Sequence, residues 1–327
     1  MRRAHFVESS LDDAMRVLLC EMLNRGDHIV ASKGSNRELT GVLLELTNPR
    51  ARLSRTETRG RLFSCLGELC WYLAKDNSLA FIEYYISDYA NYAENDILYG
   101  AYGPRLFNWH GSNQFCNVQE LLQKRQSSRR AVIQLFHPDD ILTHHEDVPC
   151  TSTLQFLVRE NQLHLIATMR SNDLYKGFPH DIFCFTMLQE IMARTLDIEI
   201  GTYRHFVGSL HLYEAQEEAA QRFLDEGWQQ TDMAMPQMPE GNPWPAIAQL
   251  LEAENALRTN GVRAHVDIDD LAPYWADLVR LLHVFGCLRG GETERIAVIR
   301  NEIAFQGYRT FIDRRYGRLR SAETQAS

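Results

Sequence analysis

Seven cysteines are scattered along the 327-residue chain, and one of them differs from the rest. Most lie among apolar neighbours, as in Leu18-Leu19-Cys20 and Phe183-Cys184-Phe185, and read as small buried hydrophobes. Cys150 instead follows Pro149 and precedes Thr151-Ser152-Thr153, at the end of an acidic loop, His144-His145-Glu146-Asp147. No pair has the C-x-x-C spacing of a zinc ribbon or a dithiol redox site. A lone sulfur works as a nucleophile only as thiolate, and a thiol of pKa ~8.5 needs a cation nearby to reach that form at neutral pH. Glu68 is the second unusual group. It sits in an otherwise apolar helical stretch (Leu66, Leu69, Trp71, Tyr72), where a carboxylate must be paired or protonated. Arg129-Arg130, His211, and the acids Asp173 and Asp181 flanking Gly177 and Pro179 complete the polar set. Singly, these last have ordinary readings: an exposed pair, a hydrogen-bonded histidine, a turn with a helix cap.

Their order along the chain changes that weighting. Glu68-Leu69-Cys70-Trp71-Tyr72-Leu73 is followed by Tyr102-Gly103-Pro104-Arg105, Ser128-Arg129-Arg130 and Pro149-Cys150. Arg170-Ser171-Asn172-Asp173 comes next with Gly177-Phe178-Pro179-His180-Asp181, and last Gly208-Ser209-Leu210-His211-Leu212-Tyr213. These six blocks, over about residues 60 to 215, resemble the thymidylate synthase family, and within it the deoxycytidylate and cytidylate hydroxymethylases. The resemblance implies an α+β fold, a mixed sheet with packed helices, and a homodimer. It implies a pyrimidine nucleoside monophosphate as substrate, 5,10-methylenetetrahydrofolate as co-substrate, and no metal.

Residue by residue, the resemblance makes Cys150 the nucleophile that adds at pyrimidine C6, turning C5 enamine-like. Arg170 would lie by both the sulfur and the phosphate. Arg129 and Arg130 would reach across the dimer to grip the 5′-phosphate, with Ser171 adding a hydroxyl, and guanidinium forks suit that dianion. His211 and Tyr213 would hold the sugar 3′-hydroxyl, Glu68 and Tyr102 would serve the proton and water chemistry, and Asp173 and Gly177 would line the pterin. An N-terminal phosphate cation is also implied, and Lys33 or Arg37 can fill that place.

Position 181 departs from the synthases that use deoxyuridylate, which carry asparagine there. Cytosine reverses the hydrogen-bonding edge of uracil, and a carboxyl can accept from the N4 amine and face N3 with one shared proton. Asp181 therefore argues for a cytidylate. Ser209 and Thr151 likewise match the hydroxymethylase branch, in which water, not hydride, adds to the exocyclic methylene. The rival readings are a synthase that methylates dUMP and an idle relative that binds nucleotide or RNA. The second leaves a nucleophile unexplained.

Elements that position these residues are visible in the patterning. Ser10 with Asp13 caps a helix over Leu11 to Leu23. Val42 to Leu46 and Ala131 to Phe136 read as strands, and Arg61 to Leu73 as a helix with one apolar stripe. Leu154 to Arg159 and Leu163 to Met169 read as a hairpin around Glu160-Asn161-Gln162. Asp181 to Arg194 is a helix apolar nearly all round, hence buried. Phe206 to Tyr213 is a further strand. A linker-like stretch, Thr231 to Pro245, separates a catalytic domain (1–230) from a helical extension (231–327) with helices at Ala246 to Arg258, Leu271 to Leu288 and Glu292 to Arg314, and a frayed tail from Ser321 to Ser327.

Composition sets the outer bounds. At 45% hydrophobic and 24% charged residues the chain is globular, with a net charge of -9. Neither net positive charge nor a basic block supports a nucleic-acid surface. Lysine occurs only four times, so arginine supplies nearly all the positive charge. The N-terminus turns acidic before any apolar run, and no stretch approaches a membrane span, which places the protein in the cytoplasm without membrane contact.

Overall fold

Ser10 separates the first strand from the first helix: its hydroxyl accepts the Asp13 N–H at 3.1 Å, satisfying one of the unpaired amides at the helix start. The computed structural model describes residues 4–31, 34–54, 56, 61–227 and 234–326. The chain runs β1 (His5–Glu8), α1 (Leu11–Arg25), β2 (Asp27–Ala31), β3 (Gly34–Leu46), α2 (Leu62–Leu73), α3 (Leu79–Ile82), α4 (Tyr102–Phe107) and α5 (Gln114–Lys124). It continues with β4 (Val132–Gln134), β5 (Thr151–Arg159), β6 (Gln162–Asp173), α6 (Phe178–Thr195), β7 (Glu199–Tyr213) and α7 (Glu217–Asp225). Then come α8 (Trp244–Asn260), α9 (Pro273–Gly290), α10 (Thr293–Glu302) and α11 (Gln306–Ala326).

The described strands form one mixed sheet in the order β1-β3-β7-β6-β5-β4, with β2 paired to β3. The expected hairpin is β5–β6, antiparallel with Arg159 opposite Gln162. Its two turn residues, Glu160 and Asn161, have φ of 50° and 57°, the left-handed pair that a two-residue turn requires. β6 and β7 run parallel, joined through α6, which is buried from Phe178 to Arg194 and packs on both strands and on α2. Side chains alternate across the strands, so the face away from α6 keeps Leu43, Leu157 and Ile166 half-buried and Phe206 exposed.

Buried ion pairs tie loops to this frame. Arg105 on α4 donates to both oxygens of Asp140 at 2.8 and 2.9 Å, with Trp109 over its guanidinium. That anchors the helix carrying Tyr102. Glu190 on α6 holds Arg50 and Arg52 from the segment after β3.

The chain divides into two compact units, Met1–Ala234 and Met235–Ser327. In the second, α8 packs on α9 and α9 on α10. The single helix expected over Glu292 to Arg314 is two helices. Buried Asp277 of α9 accepts the N–H groups of Ala304 and Phe305 at 3.0 and 2.8 Å, and these bonds hold the chain out of helix between α10 and α11. The tail expected to fray is helical in its backbone to Ala326. Helices α4 and α5 and strands β1 and β2 add elements that the patterning did not mark. Among the described residues, no helix is long and apolar enough to cross a membrane.

Candidate active site

Cys150 ends the loop that leads into β5, and the hairpin register decides what it meets. Thr151 pairs with Met169, so the next residue on β6, Arg170, lies beside the cysteine. Its backbone N–H donates to the Cys150 carbonyl at 2.8 Å. Its guanidinium holds the carbonyls of Pro149 and Val148, both at 2.9 Å, and places Nη2 3.8 Å from Cys150 Sγ. A fixed cation at that distance favours the thiolate. The sulfur is half-buried, so a small molecule can reach it.

Thr151 fixes Tyr102. Its N–H and its hydroxyl both donate to the Tyr102 oxygen at 3.0 Å, which leaves the phenol's own hydrogen to point elsewhere. Burial raises the Tyr102 pKa well above its ordinary value, and the Cys150 sulfur and Asp181 carboxyl nearby raise it further. Tyr102 is thus a neutral donor within electrostatic reach of both groups.

Glu68 on α2 is buried and holds three partners. Oε1 accepts the hydroxyls of Tyr72 and Tyr89 at 3.0 and 2.7 Å, and Oε2 meets His180 Nδ1 at 2.6 Å. Burial alone would raise its pKa, but the His180 charge and these donors bring it below the ordinary carboxylate value. Burial disfavours the His180 imidazolium, yet Cys65 and Glu68 beside it push its pKa up to about 10. The two form an ion pair in the protein interior, with a second lone pair on Oε2 left for one further donor.

Asp181 lies one residue beyond His180, in the first turn of α6. Burial, then the Glu68 carboxylate, push its pKa up to about 8, while a hydrogen bond from Asn172 works the other way. It is therefore a neutral acid at pH 7. Asn172 Nδ2 donates to Oδ2 at 2.7 Å, and Asn172 Oδ1 meets His205 Nε2 at 3.0 Å, with Tyr203 beyond at 2.7 Å from Nδ1. Gly177 precedes α6, and a Cβ there would lie 3.2 Å from Asn172 Nδ2 and 3.5 Å from Asp181 Oδ2.

Ser171, Asp173, His211 and Tyr213 gather where β6 and β7 end side by side. Asp173 pairs with His211 in register, and Ser171 Oγ lies 3.4 Å from His211 Nδ1. The His211 and Tyr213 rings meet edge to face at 5.1 Å. Asp173 also closes the turn into α6, its Oδ1 accepting the N–H groups of Tyr175 and Lys176 at 2.8 Å. Burial raises the Tyr213 phenol, with Asp173, Tyr92 and Cys150 adding to the effect. Ser209, where the synthases carry aspartate, donates to Glu38 of β3.

Three sequence candidates are not brought to the sulfur. Arg129 and Arg130 are exposed, and the Arg129 carbonyl accepts from Gln155 Nε2. Gln155 is four residues along β5 from Thr151, about 13 Å at ~3.3 Å per residue. Arg37 donates from Nε to Glu217 at 2.7 Å and from Nη1 to the Leu23 carbonyl. Lys33 lies outside the described residues. The patterning gave no role to Tyr72, Tyr89, His180, Tyr203 or His205. The available signal for His180 was its place beside Asp181 in the block Gly177-Phe178-Pro179-His180-Asp181. Among the described residues, no group of three or more His, Cys, Asp or Glu side chains is placed to hold a metal.

The family model described as "Thymidylate synthase" matches residues 45–240, more than half of the chain. One relative, named "Deoxyuridylate hydroxymethyltransferase", from Bacillus phage SP01, is 29% identical over 212 residues, covering 60% of this chain and 55% of that protein. Another of the same name, from Delftia phage PhiW-14, is 26% identical over 208 residues, covering 59% of this chain and 57% of the relative. The chain spans a little over half the length of these curated relatives.

Proposed function

The chain belongs to the thymidylate synthase family, and from that premise we propose that it hydroxymethylates C5 of a cytidine monophosphate, with a folate as co-substrate. The observation that supports the choice of base is the buried carboxyl of Asp181, its pKa pushed up to about 8 and one oxygen held as an acceptor by Asn172, within electrostatic reach of the same Tyr102 hydroxyl as the nucleophile. Its proton meets cytosine N3 as a donor, and its other oxygen accepts from the N4 amine.

Cys150 adds to C6, with Arg170 stabilising the thiolate and its Nη1, which has no bond among the described residues, turned to the phosphate. Methylenetetrahydrofolate supplies a one-carbon unit at the oxidation level of formaldehyde, and Asp173 and Tyr92 are the groups that suit its pterin. The electron pair that Cys150 pushes to C5 makes the new carbon–carbon bond; loss of the C5 proton to solvent then expels the folate nitrogen from that carbon as tetrahydrofolate, leaving the exocyclic methylene. Glu68, kept ionised by His180, holds a water through its remaining lone pair and takes a proton as that water adds to the exocyclic methylene. Expulsion of the sulfur from C6 restores the ring. No hydride moves in this sequence, so the folate leaves unoxidised.

Arg129 and Arg130 belong to the partner's site in this reading. They stand away from their own sulfur, and the sheet face bearing Leu43, Leu157, Ile166 and Phe206 mixes these apolar groups with the Arg204–Glu45 pair, a composition that suits contact with a second copy. None of the seven cysteines forms a disulfide, which suits a cytoplasmic enzyme.

A uridylate substrate is the second reading. Two relatives are named for deoxyuridylate, and a neutral carboxyl can also donate to O4 and accept from N3–H. The deciding experiment incubates CMP, dCMP, UMP and dUMP separately with methylenetetrahydrofolate and weighs the products. A cytidylate heavier by CH2O is expected. A product heavier by CH2 alone would make the chain a methylating synthase, and turnover confined to uridylates would overturn the cytidylate reading. Cys150→Ala is expected to abolish turnover while nucleotide binding, followed by calorimetry, persists.

A further inference from the structure

A solitary neutral carboxyl cannot tell cytosine from uracil. By moving its proton between oxygens it presents donor and acceptor in either order, and the two bases differ only in that order at N3 and at the C4 substituent. Asp181 is not solitary. Asn172 Nδ2 donates to its Oδ2, Asn172 Oδ1 meets His205 Nε2, and His205 Nδ1 meets the Tyr203 hydroxyl, at 2.7, 3.0 and 2.7 Å. Asp181, Asn172, His205 and Tyr203 are 8%, 3%, 1% and 0% exposed, so the chain runs from the site into the interior. The Phe178 ring stands edge to face on His205 at 5.3 Å and holds it in plane.

The far end of this chain sets its direction. Burial brings the His205 pKa down to about 3, so the ring is neutral and carries a single N–H. Two arrangements then satisfy the inner bonds. In one, Tyr203 donates to His205, His205 to Asn172, and Asn172 to Asp181. In the other, every donation is reversed, and the buried hydroxyl hydrogen of Tyr203 has no acceptor among the described residues. Stranding that hydrogen disfavours the reversed form by roughly ten- to a hundredfold.

We propose that Tyr203, His205 and Asn172 are positioning residues that polarise Asp181, fixing Oδ2 as acceptor and leaving Oδ1 as the donor, so that it reads one pyrimidine edge instead of both. This rests on Asp181 being the base-contacting group, as argued above. It does not rest on which base is preferred. Gly177 belongs to the device, because a side chain there would press on the Asn172–Asp181 contact.

The test is the ratio of kcat/KM for CMP over UMP, and for dCMP over dUMP, in the full-length protein. Tyr203→Phe keeps the ring and removes the hydroxyl, and with it the donor that sets the direction. It should bring the ratio roughly tenfold closer to one, whichever base the wild type prefers. His205→Gln, whose amide can accept from Tyr203 and donate to Asn172, should keep the selectivity that His205→Leu loses. A purely structural role would lower both substrates alike, and an unchanged ratio in folded Tyr203→Phe would overturn the proposal. Should Tyr203→Phe fail to fold, the His205 pair decides: equal loss in both variants rejects the polarity argument. The sense of the wild-type preference tests the cytidylate reading separately. A wild type with no preference rejects the relay and leaves the hydroxymethyl chemistry standing.

Discussion

Asp181 carries a measurable signature apart from catalysis. The folded chain keeps a proton there up to about pH 8, whereas the unfolded chain releases it near the ordinary value of 3.8. Between those values the native state binds more protons than the unfolded state, so stability falls as pH rises, by on the order of 1 kcal/mol per pH unit. Asp181→Asn removes this titration. Its melting temperature should gain on the wild type steadily between about pH 4 and about pH 8, and a constant offset across that range would contradict a neutral acid. Cys150, Glu68 and Asp181 were legible in the sequence because each breaks its surroundings: a sulfur in a polar loop, a carboxyl in an apolar helix, an acid after Gly-Phe-Pro-His. Tyr203 and His205 were not. Two residues apart on a strand, they read as one buried face, and their partner Asn172 lies on a neighbouring strand that only the fold brings alongside.

At the level of elements, periodicity found the long pieces and missed the joints. Helix α6 and the β5–β6 hairpin were readable because burial and turn chemistry act locally, Glu160-Asn161 supplying the left-handed turn. The break between α10 and α11 was invisible for the opposite reason. No proline marks it, Gly307 stands just inside the start of α11, and the group that makes the break, Asp277, is on another helix. Asp277→Ala would take the acceptor from the part-buried amides of Ala304 and Phe305, at about 0.5–1.5 kcal/mol each, and release Arg280. Chemical denaturation should show a loss of about 1–3 kcal/mol, and hydrogen exchange should quicken at Ala304 and Phe305 before it does in α9. Unchanged exchange there would mean that the joint is held by packing alone. Arg37 teaches the same lesson: a basic residue in a loop-like segment proved to be part of β3, with its charge spent on Glu217.

The whole molecule, as proposed, has sites that no single chain completes. A protein with Arg129→Ala and Arg130→Ala should lose phosphate affinity at both sites, and Cys150→Ala should lose both nucleophiles. Mixed and allowed to exchange subunits, the two should regain activity, because one of the two sites in a mixed dimer holds an intact sulfur and intact arginines. Assay of the mixture against each parent, with sedimentation to confirm the dimer, checks this; no recovery would assign the arginines to their own chain. Within each chain, the hairpin imposes a subtler rule. The sulfur and its guanidinium sit on opposite arms of one antiparallel pair, joined at Arg159 and Gln162. A lone insertion at the tip would carry Arg170 one step past Cys150 and turn it to the wrong side of the sheet. Balanced changes, one residue in each arm, keep the two in contact, and an unbalanced one does so only where a bulge absorbs it. The shift between Thr151 and Thr153 already does this once: eight steps lead from Arg159 to Thr151 against seven from Gln162 to Met169, so the contact between nucleophile and counter-charge depends on that irregularity as much as on the turn.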